Sequence, residues 1–205
     1  MKINRFFPTL IASDNNPDIT SSFNPILRNI ISRLDRTQEL KYVTSYDYIE
    51  LNEKILKYEI GVIPNRHLVS KPFKEYLKNF IEKIGFIIPP DIKYDFWTTK
   101  IQSLTPQPLS SHKNHLISGI CYTRTKDPEG RFSPLVFKDP KTTRYEDRLT
   151  STAKEDKSTS TIDNLETITF YPKVGDIFIW ESWLEYQIQP SPYDEQLMVM
   201  FNLYK

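Results

Sequence analysis

The spacing of apolar positions changes period partway along the chain. Residues 4–12 alternate loosely around Pro8 and read as an edge strand. Asn24 can cap a helix with Pro25 at its first position. Ile26, Leu27, Ile30, Ile31 and Leu34 then recur at helical spacing, which predicts a helix at about 25–35. Phe73, Tyr76, Leu77, Phe80, Ile81 and Ile84 form one continuous stripe, the mark of a second amphipathic helix at about 71–84. From Ile92 onward the period is two. The runs DIKYDFWTTKIQSL, LISGICYTR, SPLVFKDP, ETITFYP, GDIFIWES, LEYQIQP and QLMVMFNLY are short, β-rich and bounded by Pro, Gly or Asp. Strands following two helices predict a mainly β fold, a sandwich or jelly roll, with both helices packed on one sheet face. The expected organisation is a single domain over 1–205, with the strand and helices in 1–91 and the jelly-roll core in 92–205.

One stretch breaks the pattern. Residues 141–164, KTTRYEDRLTSTAKEDKSTSTIDN, offer Tyr145 and Leu149 as the only large apolar groups before Ile162. So little apolar area does not offset an ordering cost of roughly 1–2 kcal/mol per residue. The expectation is an exposed loop that orders against another protein subunit through Tyr145 and Leu149.

Charge and composition narrow the function classes. Lys and Arg total 27 against 26 Asp and Glu, so no overall field attracts a phosphate backbone or an anionic membrane surface. Fifteen Pro against five Gly, and no GxGxxG or GxxxxGK[ST] string, argue against a phosphate-cradling loop. The opening MKINRFFPTLIASD lacks the pattern of a secretory signal, and no run approaches the roughly 18 apolar residues that span a bilayer. The expectation is a cytoplasmic protein. Cys121, the only cysteine, sits in the apolar run ISGICY and reads as a buried strand position rather than a reactive thiol.

Four blocks in order carry a family resemblance: FWTTKIQSL, SSHKNHLISGICY, LVFKDPK and VGDIFIWESWLEYQIQPSPYDEQLMVMFN. Together they resemble a family of iron(II)/2-oxoglutarate oxygenases common in phages and marine bacteria, whose blocks read HxHPNSxLSGVYY, LxFxDPR and GDLxLFPSWLxHxVxPNxxxxxRxxxxFN. The resemblance covers about half the chain and implies a double-stranded β-helix, in agreement with the period-two reading. The family's chemistry implies two His and one further ligand on non-haem iron, with an Arg pairing the far carboxylate of 2-oxoglutarate. With Ser118 and Gly119 as anchor, the family's first His falls on Ser110 and its second on His112. The distal His falls on Tyr186 and the Arg on Gln196. A census free of alignment agrees, since no His follows His115 and no Arg follows Arg148.

His112 and His115, with Asp139 or Glu181 as carboxylate, form the remaining candidate ligand set. Read as a strand, positions 112 and 115 point to opposite faces, and Asn114 shares a face with His112. On that reading His112 fills the old pocket and hydrogen-bonds Tyr186, while His115 sits on the surface. His67, in IPNRHL, has no neighbouring Cys or carboxylate and reads as a loop histidine. Gly119 marks a close approach of backbones. Trp97, Trp180 and Trp183 read as core and rim aromatics, and Asp139 with Pro140 ends a strand.

The function expected from these residues is a non-catalytic structural or adaptor protein, a pseudoenzyme with a vestigial pocket at Ser110, His112, Tyr186 and Gln196, holding no metal and no cofactor. The phage link points to a virion component at the neck, tail or head–tail connector, assembled in the host cytoplasm, with other protein subunits as partners and neither nucleic acid nor membrane. The alternative is an active iron(II)/2-oxoglutarate dioxygenase with rearranged ligands.

Overall fold

The computed structural model describes residues 2–6, 9–23, 42–44, 71–101, 104, 108–138, 167–193 and 195–205. Ten strands are found among them: β1 (Lys2–Phe6), β2 (Thr9–Asn15), β3 (Tyr42–Thr44), β4 (Lys93–Ile101), β5 (Ile117–Arg124), β6 (Leu135–Lys138), β7 (Thr167–Phe170), β8 (Asp176–Glu181), β9 (Tyr186–Ile188) and β10 (Gln196–Tyr204). Each of the seven period-two runs forms a strand, β4 to β10. The stretch 4–12, read as one strand, belongs to two strands on either side of Pro8, which pair with each other antiparallel. The short β3, which extends the sheet beyond β4, was not expected from the pattern.

A seven-stranded sheet in the order β1-β2-β8-β5-β10-β4-β3 faces a three-stranded sheet in the order β7-β6-β9. The described pairings are antiparallel. This is the jelly-roll class that the pattern predicts. The crossovers in strand order put the last strand, β10, inside the large sheet next to the central β5: it pairs β4 on one side and β5 on the other.

Two helices lie among the described residues. The five-residue α1 (Pro17–Ser21) follows β2, with Asn16 as its cap accepting from the Ile19 amide at 3.1 Å. The longer α2 (Lys71–Lys83) buries Phe73, Leu77, Phe80 and Ile81, the stripe seen in the sequence, against the outward face of the large sheet. The helix expected at 25–35 and the loop at 141–164, with Tyr145 and Leu149, lie outside the described residues, as do His67 and Asp139. Among the described residues no helix is long and apolar enough to cross a membrane.

Because the large sheet is covered on both faces, alternation along β10 sorts its side chains into two apolar layers. Val199, Phe201 and Leu203 join Cys121, Ile177, Ile179 and α2 on the outer side. Met198 and Met200 join Trp97, Ile120, Tyr122, Phe137, Trp180 and Tyr186 between the sheets. Cys121 is fully buried in the outer layer, and burial pushes its thiol up, as its apolar context suggested. At Gly119 a Cβ would lie 2.1 Å from Phe201 Cζ and 2.7 Å from the Phe178 carbonyl oxygen, so the close approach read from the sequence is real.

Candidate functional site

The segment ahead of β5 closes one end of the space between the sheets. Ser110 exchanges both backbone hydrogen bonds with Tyr186 of β9 at 2.9 Å, and the His112 amide donates to the Ser182 carbonyl at 2.8 Å. The Leu116 amide donates to the Leu203 carbonyl at 2.8 Å, which ties the far end of the segment to β10. These bonds fix His112 over the inward face, between Trp97 of β4 (ring centroids 5.4 Å) and Tyr186 (5.9 Å). His112 Nε2 and Tyr186 Oη are 3.1 Å apart, the contact expected from the sequence.

The strand reading of 112–115 is corrected by the backbone. The His115 amide donates to the His112 carbonyl at 2.9 Å, closing a turn, and the two imidazoles come to 6.1 Å between centroids. A turn does not alternate side chains between faces as a strand does, so the opposite-face argument fails here. His115 is accordingly not a free surface residue. Its Nε2 lies 3.8 Å from Asp95 Oδ2 and its ring meets Tyr204 edge-on at 5.4 Å, while the Tyr204 hydroxyl donates to Asp95 at 3.3 Å. His115 Nδ1 is buried without a hydrogen-bond partner among the described residues.

The electrostatics follow from burial. Desolvation, reinforced by the nearby His115, lowers His112 to about 4, so its imidazole is neutral at neutral pH, the form that can bind a metal. At the end of β8, burial raises Glu181, partly offset by a hydrogen bond from Trp183. The Ser110 hydroxyl donates back to the Pro108 carbonyl at 3.2 Å and contributes no group toward the imidazoles.

Gln196 is engaged elsewhere. Its side chain is fully buried, its Oε1 accepts from the Ser133 amide at 2.6 Å, and its Nε2 donates to the Tyr193 carbonyl at 2.8 Å and toward Ser191 Oγ at 3.4 Å. Thus Ser110, His112 and Tyr186 are drawn together at one end of the inter-sheet space, and the hydrogen bonds of Gln196 run to a different set of residues.

Several polar groups escaped the sequence reading. Ser118 donates to Asn202 Oδ1 at 2.7 Å and shares a 2.8 Å bond with the Ser182 hydroxyl, a buried network beside the His112 segment. Thr99 Oγ1, Tyr122 Oη and Trp180 Nε1 are buried with no hydrogen-bond partner among the described residues. Thr99 and Tyr122 both pair with Met198, so they flank it on the inward face. Period-two counting from Trp97 would have placed Thr99 there.

Two antiparallel sheets enclosing an aromatic layer, with His112 at one end, define a jelly-roll scaffold. Residues 95–202 match the family model described as "Putative 2OG-Fe(II) oxygenase", and the chain belongs to that family. Solved structures with the same fold include a prolyl-4-hydroxylase from Pseudomonas putida, at TM-score 0.54 and 8% identity, covering 95% of this chain and 92% of that one. HygX from Streptomyces hygroscopicus, solved with nickel and 2-oxoglutarate, aligns at TM-score 0.52 and 8% identity over 95% and 82%. The epimerase SnoN from nogalamycin biosynthesis, in complex with Fe3+, alpha ketoglutarate and nogalamycin RO, aligns at TM-score 0.52 and 10% identity over 98% and 80%. No curated protein matches the chain in sequence.

Family membership corrects one expectation. A pseudoenzyme was expected from the missing His and Arg, but the family matched over the site-bearing half of the chain is one of oxygenases. The residues lost are those of one ligand arrangement, and their loss does not define a non-enzyme. The described residues nevertheless do not fit iron and 2-oxoglutarate as the family motif holds them. Tyr186 and Gln196 stand where the resemblance puts a His and the Arg, and among the described residues no three His, Cys, Asp or Glu side chains already converge on one point.

Proposed function

We propose that the chain is an active oxygenase of this family whose ligand arrangement departs from the family motif, with His112 and His115 as its imidazole donors. The observation that supports this most is the turn at 112–115. It sets a second imidazole 6.1 Å from the neutral ring of His112, next to a carboxylate, and leaves His115 Nδ1 buried and unpartnered. Two imidazoles and a carboxylate are the donor types that non-haem iron takes in this class of enzyme. When bound, iron would supply oxygen activation; the chain's own part is to keep His112 neutral and the aromatic interior dry.

The test is anaerobic titration of the full chain with Fe(II), and with Co(II), whose visible bands report its ligands. One metal per chain is expected, with affinity lowered by about tenfold or more in His112→Ala and in His115→Ala. No stoichiometric binding, or binding indifferent to both substitutions, overturns the reading. The assembly role expected from the loop at 141–164 has its contact residues Tyr145 and Leu149 outside the described residues, so the described structure carries no argument for it.

A further inference from the structure

We infer that Tyr186 is a redox-active tyrosine, which gives up an electron to a one-electron oxidant while its phenolic proton passes to His112. The inference goes beyond the oxygenase reading and needs no metal. Its basis is a single contact, in which Tyr186 Oη and His112 Nε2 are 3.1 Å apart on a phenol that is only 5% exposed. A phenol that loses an electron becomes a strong acid, and a radical cation enclosed at such a place would be an uncompensated buried charge. Oxidation is therefore easy only where a base stands ready to take the proton. The neutral imidazole is that base, with one ring nitrogen able to accept, and its ring is partly exposed, so the charge it gains is better hydrated than one left on the phenol. In the step the Tyr186 O–H bond breaks, an N–H bond forms at His112 Nε2, the oxidant is reduced by one electron, and a neutral phenoxyl remains.

Rings in succession join this phenol to the surface. Between ring centroids, His112 stands 5.9 Å from Tyr186, His115 6.1 Å from His112, and Tyr204 5.4 Å from His115, and Tyr204 is partly exposed. On its other side Tyr186 meets Trp180 at 4.9 Å, deep in the aromatic layer. The phenol thus stands between the interior and a short route out of it. Two other tyrosines show what the arrangement requires. Tyr122 is fully buried and its hydroxyl has no hydrogen-bond partner among the described residues, so its proton has no base to go to. Tyr76 has a base, Asp14 at 2.9 Å, but the rings it meets, Phe73 and Phe80, belong to its own helix and lead into the outer layer. Tyr186 alone of these three combines a base for the proton with a line of rings for the electron. What it supplies is an electron for an oxidising species formed between the sheets, drawn from one residue instead of at random from the aromatic layer.

In the test the full chain, with no metal added, is oxidised by photogenerated tris(bipyridine)ruthenium(III), and the radical is followed by its phenoxyl absorption and by freeze-quench electron paramagnetic resonance. A neutral tyrosyl radical is expected that outlives those of exposed tyrosines at least tenfold. It should disappear in Tyr186→Phe, which keeps the ring, and remain in Tyr171→Phe, which removes an exposed phenol. In His112→Gln, with folding checked by circular dichroism, its yield should fall at least tenfold. Its formation in the parent chain should also be slower in heavy water, because a proton moves in the same step. A long-lived radical that survives Tyr186→Phe, or that is lost in Tyr76→Phe or Tyr204→Phe instead, overturns the inference, and so does the absence of any long-lived radical. An undiminished yield in folded His112→Gln, or an equal rate in heavy water, overturns it as well. Failure of the oxygenase reading is seen separately, in the metal titration.

Discussion

Gly119→Ala adds one methyl group, and its effect can be worked out from the sheet. In an open strand alanine would be favoured over glycine by about 0.5–1 kcal/mol, because glycine loses more freedom on folding. Here the added Cβ would sit 2.1 Å from Phe201 Cζ, 2.5 Å from Phe201 Cε2 and 2.7 Å from the Phe178 carbonyl oxygen. Carbon atoms rest at about 3.5–4.0 Å, so the overlap exceeds 1 Å. Phe201 has little room to yield, since it is fully buried with Phe73 and Phe96 rings 5.9 and 6.0 Å away. Overpacking of this kind costs about 1–3 kcal/mol, and the backbone contact puts this case at the upper end. The steric term therefore wins, for a net loss of about 2 kcal/mol or more and a melting point lower by roughly 4–8 °C. Urea unfolding followed by tryptophan fluorescence gives the number, with an unchanged slope expected. Phe201→Leu removes the clashing ring edge, so the double variant should be more stable than the sum of the two singles by about 1 kcal/mol. A Gly119→Ala protein within about 0.5 kcal/mol of the parent, or strict additivity, would refute the reasoning.

Three further outcomes follow from the same contacts. Burial lowers His112 from its ordinary 6.5 to about 4, so between those values the unfolded chain binds the extra proton and stability rises with pH. This contribution is whole above about pH 6.5 and lost as pH falls toward 4. Allowing for screening by solvent, it amounts to about 2 kcal/mol. An NMR titration in which the His112 ring protonates near 6.5 would contradict it. Gln196→Glu turns a donor into an oxygen facing the Tyr193 carbonyl, for a loss of about 2–4 kcal/mol that should be larger at pH 8 than at pH 5 in chemical denaturation. Phe73→Ala, which vacates the ring that joins α2 to Phe23, Phe96 and Phe201, should cost about 3–5 kcal/mol by the same assay, and a loss under 1 kcal/mol would mean that the helix is not part of the core.

The later strands were legible because Pro, Gly and Asp punctuate them and because alternation survives even where both faces are covered. QLMVMFNLY reads as nearly continuous apolar sequence, and β10 is indeed buried from Gln196 to Leu203. The division at Pro8 was less visible, since apolar residues continue on both sides of it. The site was harder to read than the sheet. His112 and Tyr186 could be paired by resemblance, but the turn that brings His115 beside them is set by backbone bonds to Ser182 and Leu203, far away in sequence. Likewise nothing near Gln196 in the chain announces the Ser133 amide, 63 residues earlier, as its principal partner.

The two-sided burial of β10 makes it a partition between two accounts of the molecule. Val199, Phe201 and Leu203 answer to the helix layer, whereas Gln196, Met198 and Met200 answer to the interior, and neighbours along one strand therefore meet different packing constraints. A change on the inward side can redirect what the interior accepts while the helix-covered side keeps the sheet assembled. Gln196 can thus stand where the resemblance puts an Arg without loss of the fold. Libraries confined to the inward positions of this one strand should accordingly yield folded proteins at a higher rate than libraries of equal size on its outward positions.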